Sequence, residues 1–491
     1  MARKVLAVGS GECGQLGLGE KTFECSLLTH VVGLPPNVVS IASKGLTCAA
    51  LTDDGELYTW GCNDDGALGR AGEEAAPGRV AVGAAGEEPG AGADATPAVN
   101  VRHVACGDCH TAAIDSGGAL YTWGIYRDGS GQLGYSAASG GSVGGAAAQR
   151  GVRAPESKQV HPARVLLGDG ATAAVAVACG ANHTAAIDAE GRLFTWGIGE
   201  QGQLGRRVVA GRAVAQLAPR HVPLKMQLLR SGMRVLSVAC GSYHTFATAA
   251  APHGSGAIVF AWGLNNHGQL GLGDAINRDS PTVVEALGGG GGRDNATAPV
   301  AMAAGEHHSL ALAPDGRVLT FGRGDSGQLG RGRSCISAHT PAAVPSLRAR
   351  TIASGGNHCF ALGRHDGALY TWGFGDSQQL ANAAQSALAA GAEIAATFEA
   401  RLRAFYDKHC PEKVDNAPRI AERYAGREEE LFVKLHGMYC DGEEPADEWE
   451  PHLVTQPSLL AGGRVVCMAG GCQHSIVLVV SEDILSAEAI D

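Results

Sequence analysis

Short runs of aromatic and branched residues punctuate the chain: Leu57-Tyr58-Thr59-Trp60, Leu120-Tyr121-Thr122-Trp123, Leu193-Phe194-Thr195-Trp196 and Leu369-Tyr370-Thr371-Trp372. Runs of this length and make-up, bounded by Gly, Asp and Pro, predict β-strands. Each leads into a Gly-rich phrase that occurs seven times: GSGECGQLGLG from Gly9, GCNDDGALGR from Gly61, GIYRDGSGQLG from Gly124, GIGEQGQLGR from Gly197, GLNNHGQLGLG from Gly263, GRGDSGQLGRG from Gly322 and GFGDSQQLAN from Gly373. Its Leu falls at Leu16, Leu68, Leu133, Leu204, Leu270, Leu329 and Leu380, a period of 51 to 71 residues. That period suits one propeller blade with loops of variable length.

Upstream of the aromatic run stands a second phrase, Gly-x-x-His: Gly107 to His110, Gly180 to His183, Gly241 to His244, Gly305 to His308, Gly355 to His358 and Gly471 to His474, with Leu46 read in the His place of the first copy. Turn signals such as Asp53-Asp54-Gly55 and Ser116-Gly117-Gly118 lie between the two phrases and suit a hairpin. Pro162, Pro281 and Pro341 open outer strands, where a missing N–H is tolerated. The chain starts on an aromatic-type strand, Val5 to Val8, and ends on a Gly-x-x-His strand that lacks its follow-on, so the two ends should share a sheet. The fold class expected is all-β: a seven-bladed β-propeller closed between its N- and C-terminal strands, with a small α-helical insertion in the last blade.

The insertion is expected over 383–452. That stretch is charged and Ala-rich, with Ile394, Phe398, Leu402 and Phe405 at helical spacing and a helix start at Asn416-Ala417-Pro418. The propeller then takes 1–382 and 453–482, and 483–491 is a tail. Ala71 to Pro97 and Ala137 to Pro155 are Gly/Ala-rich and read as disordered loops.

Composition agrees: 72 of 491 residues are Gly, about twice the usual ~7% share. No apolar run reaches the ~18 residues of a membrane span, and no secretory h-region follows Met1-Ala2-Arg3-Lys4. An intracellular protein, nuclear or cytoplasmic, monomeric and without membrane contact, is expected. The 14 Cys are scattered through apolar segments, as reduced thiols would be. A net charge of −11 argues against unspecific binding to a phosphate backbone, leaving room for a local basic patch.

Two motifs suggest chemistry and are outweighed. Cys106-Gly107-Asp108-Cys109-His110 matches the haem-attachment pattern C-x-x-C-H, but the same register without its second Cys recurs at Cys179 and Cys240, so repeat geometry explains it. Gly9-Ser10-Gly11-Glu12-Cys13-Gly14 mimics the dinucleotide fingerprint, yet Gln15-Leu16-Gly17 continues the repeat where a helix is needed. There is no G-x-x-x-x-G-K-[ST]. No cofactor, no metal and no bond-making enzyme chemistry are expected, and the recurring His reads as structural. The two loop types should emerge at one end of every blade, giving a face that carries Glu12, Asp64, Asp65, Asp108, Asp128, Glu200, Glu306, Asp325 and Asp376. Such an acidic ring suits a basic protein surface.

The phrases CNDDGALGR, GDCHTAAI, YRDG and GEQGQLGR resemble the regulator of chromosome condensation family over nearly the whole chain. The resemblance implies a guanine-nucleotide exchange factor for a Ran-type small GTPase, with one propeller face gripping the GTPase and a wedge disturbing its nucleotide site. The wedge matches Tyr126, Arg127, Asp128, Gly129, Ser130, Gly131, Gln132 and Leu133, and should project beyond the face with Tyr126 as an inserting aromatic. The family's functional Asp and His match Asp108 and His307; a second functional Asp is replaced by Asn182, and Glu12 and His474 join the same GTPase-binding face. The family's basic N-terminal tail is reduced here to Arg3 and Lys4, which speaks against chromatin binding. The alternative reading is a propeller used purely as a protein-binding scaffold. Similarity to the plant UV-B photoreceptor fails, because Trp60, Trp123, Trp196, Trp262 and Trp372 lie in strands instead of clustering on the face.

Overall fold

The computed structural model describes residues 3–83, 99–128, 131–134, 158–208, 216–224, 233–251, 256–288, 298–382, 402–403, 406, 410–423, 448–454 and 463–481. Seven antiparallel blades follow one another along the chain. Blade 1 is built from Val38–Lys44, Thr47–Thr52, Leu57–Gly61 and Gly78–Val80. Blade 2 takes Val101–Cys106, His110–Asp115, Leu120–Gly124 and Gln159–Val165. Blade 3 runs from Ala174–Cys179 to Arg220–His221, and blade 4 from Val235–Cys240 to Arg278–Val283. Blades 5 and 6 share one long strand, Ser337–Ser354, which is outermost in blade 5 and innermost in blade 6. Blade 7 joins the two ends: Lys4–Ser10 pairs with His474–Ser481, flanked by Glu24–His30 and Gly463–Gly470.

The strands pair because their buried positions match between blades. Trp60, Trp123, Trp196, Trp262 and Trp372 are almost wholly buried at the end of their strands, each removing ~150–250 Å² from water, worth about 4–6 kcal/mol in transfer free energy. The outer strands tolerate Pro for the expected reason. Pro162, Pro281 and Pro341 all fall where the register with the neighbouring strand is interrupted, so no ladder hydrogen bond is lost at them.

Three expectations need correction. The His place of blade 1 is Thr47, not Leu46, since Thr47 lies opposite Gly61 as His110 lies opposite Gly124. Part of the supposed loop from Ala71 is ordered: Gly78–Val80 closes blade 1 against Leu57–Thr59, and Ala75 is buried. The insertion ends earlier than residue 452, because Glu448–Leu453 is the outer strand of blade 6, the last blade completed before the two ends meet. A helix does begin at Ala417, as Ala417–Arg423, behind a 3₁₀ turn at Pro411–Asn416. Most of 383–447, residues 84–98 and residues 135–157 lie outside the described residues.

Candidate functional site

Each Gly-x-x-His loop is a joint between neighbouring blades. The buried His rings reach the next blade's first hydroxyl: His110 Nε2 to Thr184 at 2.8 Å, His183 to Thr245 at 2.9 Å, His244 to Ser309 at 2.8 Å and His358 to Ser475 at 3.0 Å. Three of those hydroxyls in turn donate to a carbonyl of the Gly-rich loop of the preceding blade, Thr245 to Gln203 O, Ser309 to Gln269 O and Ser475 to Gln379 O. The Trp indole often meets the same oxygen: Trp60 at Gln15 O, Trp123 at Ala67 O, Trp262 at Gln203 O and Trp372 at Gln328 O. Burial holds these imidazoles far below the usual range, at about 3 for His110, His183, His308, His358 and His474, so they are neutral.

The Gly of the phrase follows from this packing. A Cβ at Gly107 would lie 2.3 Å from His110 Cε1 and 2.7 Å from the Gly180 carbonyl oxygen, and Gly180, Gly241 and Gly305 are equally confined. The loops also bond to one another in sequence, from Asp108 N to Ala181 O, Ala181 N to Ser242 O, Ser242 N to Gly305 O, Glu306 N to Gly356 O, Gly356 N to Gly471 O and Cys472 N to Gly45 O. This belt of backbone hydrogen bonds surrounds a central channel of about 260 Å³.

Blade 1 departs from the pattern at two linked positions. Lys44 stands where the other loops have Gly, and Thr47 where they have His. The absent ring leaves room for the Lys44 side chain, whose Nζ crosses the channel and donates to Cys240 O of blade 4 at 3.0 Å. Asp108 and Cys472 line the same channel mouth. Burial raises the Asp108 carboxyl above the usual range, the Lys44 ammonium opposes that rise, and Glu306 adds to it.

The other predicted face residues divide. His307 lies at the face, 18% exposed, with its ring beside His267 at 5.2 Å and Tyr243 at 6.2 Å, and its Nε2 3.7 Å from Glu306. Burial lowers its pKa, and Glu306 opposes this. Glu12 is exposed. His474 is not on the face at all: it is fully buried, with Nε2 2.8 Å from Ser43 Oγ and 3.0 Å from Cys48 Sγ, and belongs to the joint between blades 7 and 1. Its register with His110 carried that information. The acids of the face are also less bare than their sequence suggests, since Asp65 pairs with Arg127 and Asp325 with Arg323.

The wedge segment forms a separate two-stranded hairpin, Tyr126–Asp128 against Gly131–Gly134. Gly129 and Ser130 lie outside the described residues, so the projection expected of them is not described. Tyr126 does not project. It is fully buried, its ring 4.7 Å from that of His110 and its Oη 2.9 Å from Thr184 Oγ1. Arg127 follows at the surface, its backbone N–H donating to Asn182 Oδ1 at 2.8 Å and its guanidinium bound to Asp65.

The net charge is unevenly spread. At the opposite end of blades 5 to 7, Arg348, Arg350, Arg364 and Arg464 cluster, with Arg350 Nη2 on Val465 O and Arg364 Nη1 on Pro314 O. None of these four has a carboxylate partner within salt-bridge distance among the described residues. A total of −11 therefore does not speak against an anionic partner at that end. None of the 13 described cysteines is joined in a disulfide, and His110 of the haem-like motif is engaged by Thr184. No described helix is long and apolar enough to cross a membrane.

Fold and loop face together define a propeller of Gly-x-x-His blades carrying an extra hairpin on blade 2. Residues 4–398 match the family model described as RCC1-like domain. The chain belongs to this RCC1-like family. It is 31% identical over 388 residues to the human regulator of chromosome condensation, covering 77% of this chain and 81% of that one. It is 33% identical over 408 residues to the fission-yeast protein pim1, covering 77% and 67%. The solved structure of Prp20p from Saccharomyces cerevisiae, reported with its binding to Gsp1p and histones, superposes with a TM-score of 0.70 at 22% identity, over 100% of this chain and 94% of that one.

Proposed function

We propose that the protein is a guanine-nucleotide exchange factor for a Ran-type small GTPase, a binding catalyst that makes and breaks no covalent bond. The observation that carries this reading is the hairpin at Tyr126–Gly134, set in one blade only among the described residues, beside Asp108 and Asn182 at the end of the blades where the loops meet. Kinship with the regulator of chromosome condensation supports it. Exchange needs only a difference in affinity: a partner that binds the nucleotide-free GTPase more tightly than the loaded one drives nucleotide out by linkage. A hairpin anchored at its base by Asp65 and Asn182 suits a phosphate-binding loop from which the phosphates must be displaced.

The test is release of a fluorescent guanine nucleotide from loaded Ran. The protein is expected to accelerate release, and a variant shortened by Gly129 and Ser130 to do so at least tenfold more slowly, about 1.4 kcal/mol of transition-state stabilisation. A scaffold reading gains from Asn182, a neutral residue whose Oδ1 is already occupied by Arg127 N–H. Equal release with and without the protein decides for the scaffold.

A further inference from the structure

The geometry points to Tyr126, Asn182 and Asp65 as positioning residues that clamp the base of the blade 2 hairpin from three sides and so set its aim. This deepens the exchange-factor reading and rests on it.

In four blades a loop carbonyl, at Gln15, Ala67, Gln203 or Gln328, accepts the next blade's Trp Nε1–H. The same oxygen also takes that blade's hydroxyl or thiol, from Cys48, Thr111, Thr245 or Cys359. That carbonyl pins the loop flat against its neighbour. Blade 2 has used the corresponding segment, Gly131–Gly134, for the hairpin. Trp196 and Thr184 of blade 3 would then face a gap. Tyr126 fills it: its hydroxyl meets Thr184 Oγ1 at 2.9 Å and also bonds to the Trp196 side chain. A side-chain oxygen thus replaces a main-chain one, and the chain beyond it is released from the blade.

Two further contacts fix the direction in which the released chain leaves. The Arg127 N–H is held by Asn182 Oδ1 of blade 3 at 2.8 Å, and the Arg127 guanidinium by Asp65 of blade 1, with Nε 3.0 Å from Oδ1. The hairpin base is therefore tied to the blades on both sides of its own. Asn182 and Asp65 act through the hairpin.

The primary test is residue-resolved amide hydrogen exchange on the full chain, which requires no GTPase. Tyr126→Phe removes only the hydroxyl; it is expected to speed exchange of the 126–128 and 131–134 amides at least tenfold while leaving the His244–Ala250 strand of blade 4 protected. Asp65→Asn, an isosteric change that keeps the side chain's shape and removes its charge, is expected to act in the same direction more weakly. Unchanged protection in both variants overturns the clamp. With Ran present, Tyr126→Phe is expected to lower kcat for nucleotide release at least threefold with KM unchanged, and to have no further effect when added to the shortened hairpin. An equal loss in the shortened protein overturns the positioning role. If the wild-type protein does not accelerate release, the exchange-factor reading fails, and the amide data alone decide whether the clamp exists.

Discussion

Lys44 and Cys240 are joined across the central channel, the ammonium of blade 1 donating to a backbone carbonyl of blade 4 at 3.0 Å. Nearly 200 residues separate the two, and the contact exists because Thr47 has taken the place of a His ring.

Lys44 and Thr47 should therefore behave as one unit. Thr47→His alone would press an imidazole onto the Lys44 Cβ, as a Cβ at Gly107 would press on His110. It is expected to cost about 2 kcal/mol by overpacking. Adding Lys44→Gly should restore most of that loss, because the new ring could then reach the Thr111 hydroxyl as the other rings reach theirs. The coupling is read from urea midpoints in a double-mutant cycle. Simple additivity would show the two positions to be independent.

Lys44 also lowers the pKa of Asp108, which burial and Glu306 raise. Lys44→Met should move the Asp108 titration upward, so that the carboxylate is lost at a higher pH. Carboxyl chemical shifts of labelled Asp followed through a titration give the midpoint directly. On the exchange-factor reading, the acid limb of the pH–rate profile should shift upward with it.

The buried rings make the fold acid-labile. Their folded pKa values lie far below the ~6.5 of an exposed His, at about 3 for five of the six, so the unfolded chain binds protons that the native state refuses. Stability is then intact above pH ~6.5 and falls as pH drops toward 3, by about 1.4 kcal/mol per pH unit for each ring. Several rings titrating together should bring cooperative acid unfolding close to pH 5, above the range where carboxylates titrate. Circular dichroism at stepped pH measures it, and replacing one ring, as in His358→Asn, should flatten the slope by about one proton.

The seventh Gly-rich phrase carries strain that the others avoid. Gln378 has φ 61° and Ala381 φ 56°, where five of the earlier copies have Gly at positive φ, such as Gly66 and Gly69. The Cβ of Ala381 finds room because blade 7 has Val8 where five blades have Trp; a Cβ at Gly69, by contrast, would lie 2.6 Å from the Trp123 indole. Left-handed backbone costs a non-Gly residue roughly 1–2 kcal/mol, partly offset by the extra freedom Gly gives the unfolded chain. Gln378→Gly is expected to stabilise the protein by about 0.5–1 kcal/mol in urea unfolding. A loss of stability would mean that the Gln378 side chain holds the loop.

The propeller and the pairing of its ends were legible because the same short phrases recur in register, and each is dictated by local packing: Gly under a ring, Trp against a carbonyl. What escaped was compensation between neighbours. Leu46 as the His position is one residue out of register: the run Thr47-Cys48-Ala49-Ala50 aligns with His110-Thr111-Ala112-Ala113 and places the exchange at Thr47. Tyr126 looked like an exposed tip because it opens a long loop. Its burial depends on Trp196 and Thr184, which stand some 60 residues further on and lack an acceptor only once the loop has left the blade.

The shared sheet of blade 7 has a consequence for synthesis. Lys4–Ser10 is synthesised before every other described strand of the propeller, yet its central partner is His474–Ser481. At ~5–20 residues per second the gap of about 460 residues corresponds to roughly 25 to 90 seconds, during which the strand has only the Glu24–His30 hairpin for company, a pairing that is marginal alone. Joining the ends then carries a loop-closure cost of about 5 kcal/mol if no intervening blade is formed, and far less if the six blades between are already stacked. The order of vectorial folding is thereby set by geometry: blades 1 to 6 accrete outward from the ribosome, while an unsealed sheet edge at the amino terminus stays open to chaperones, or to the matching edge of a second nascent chain, until the last strand arrives.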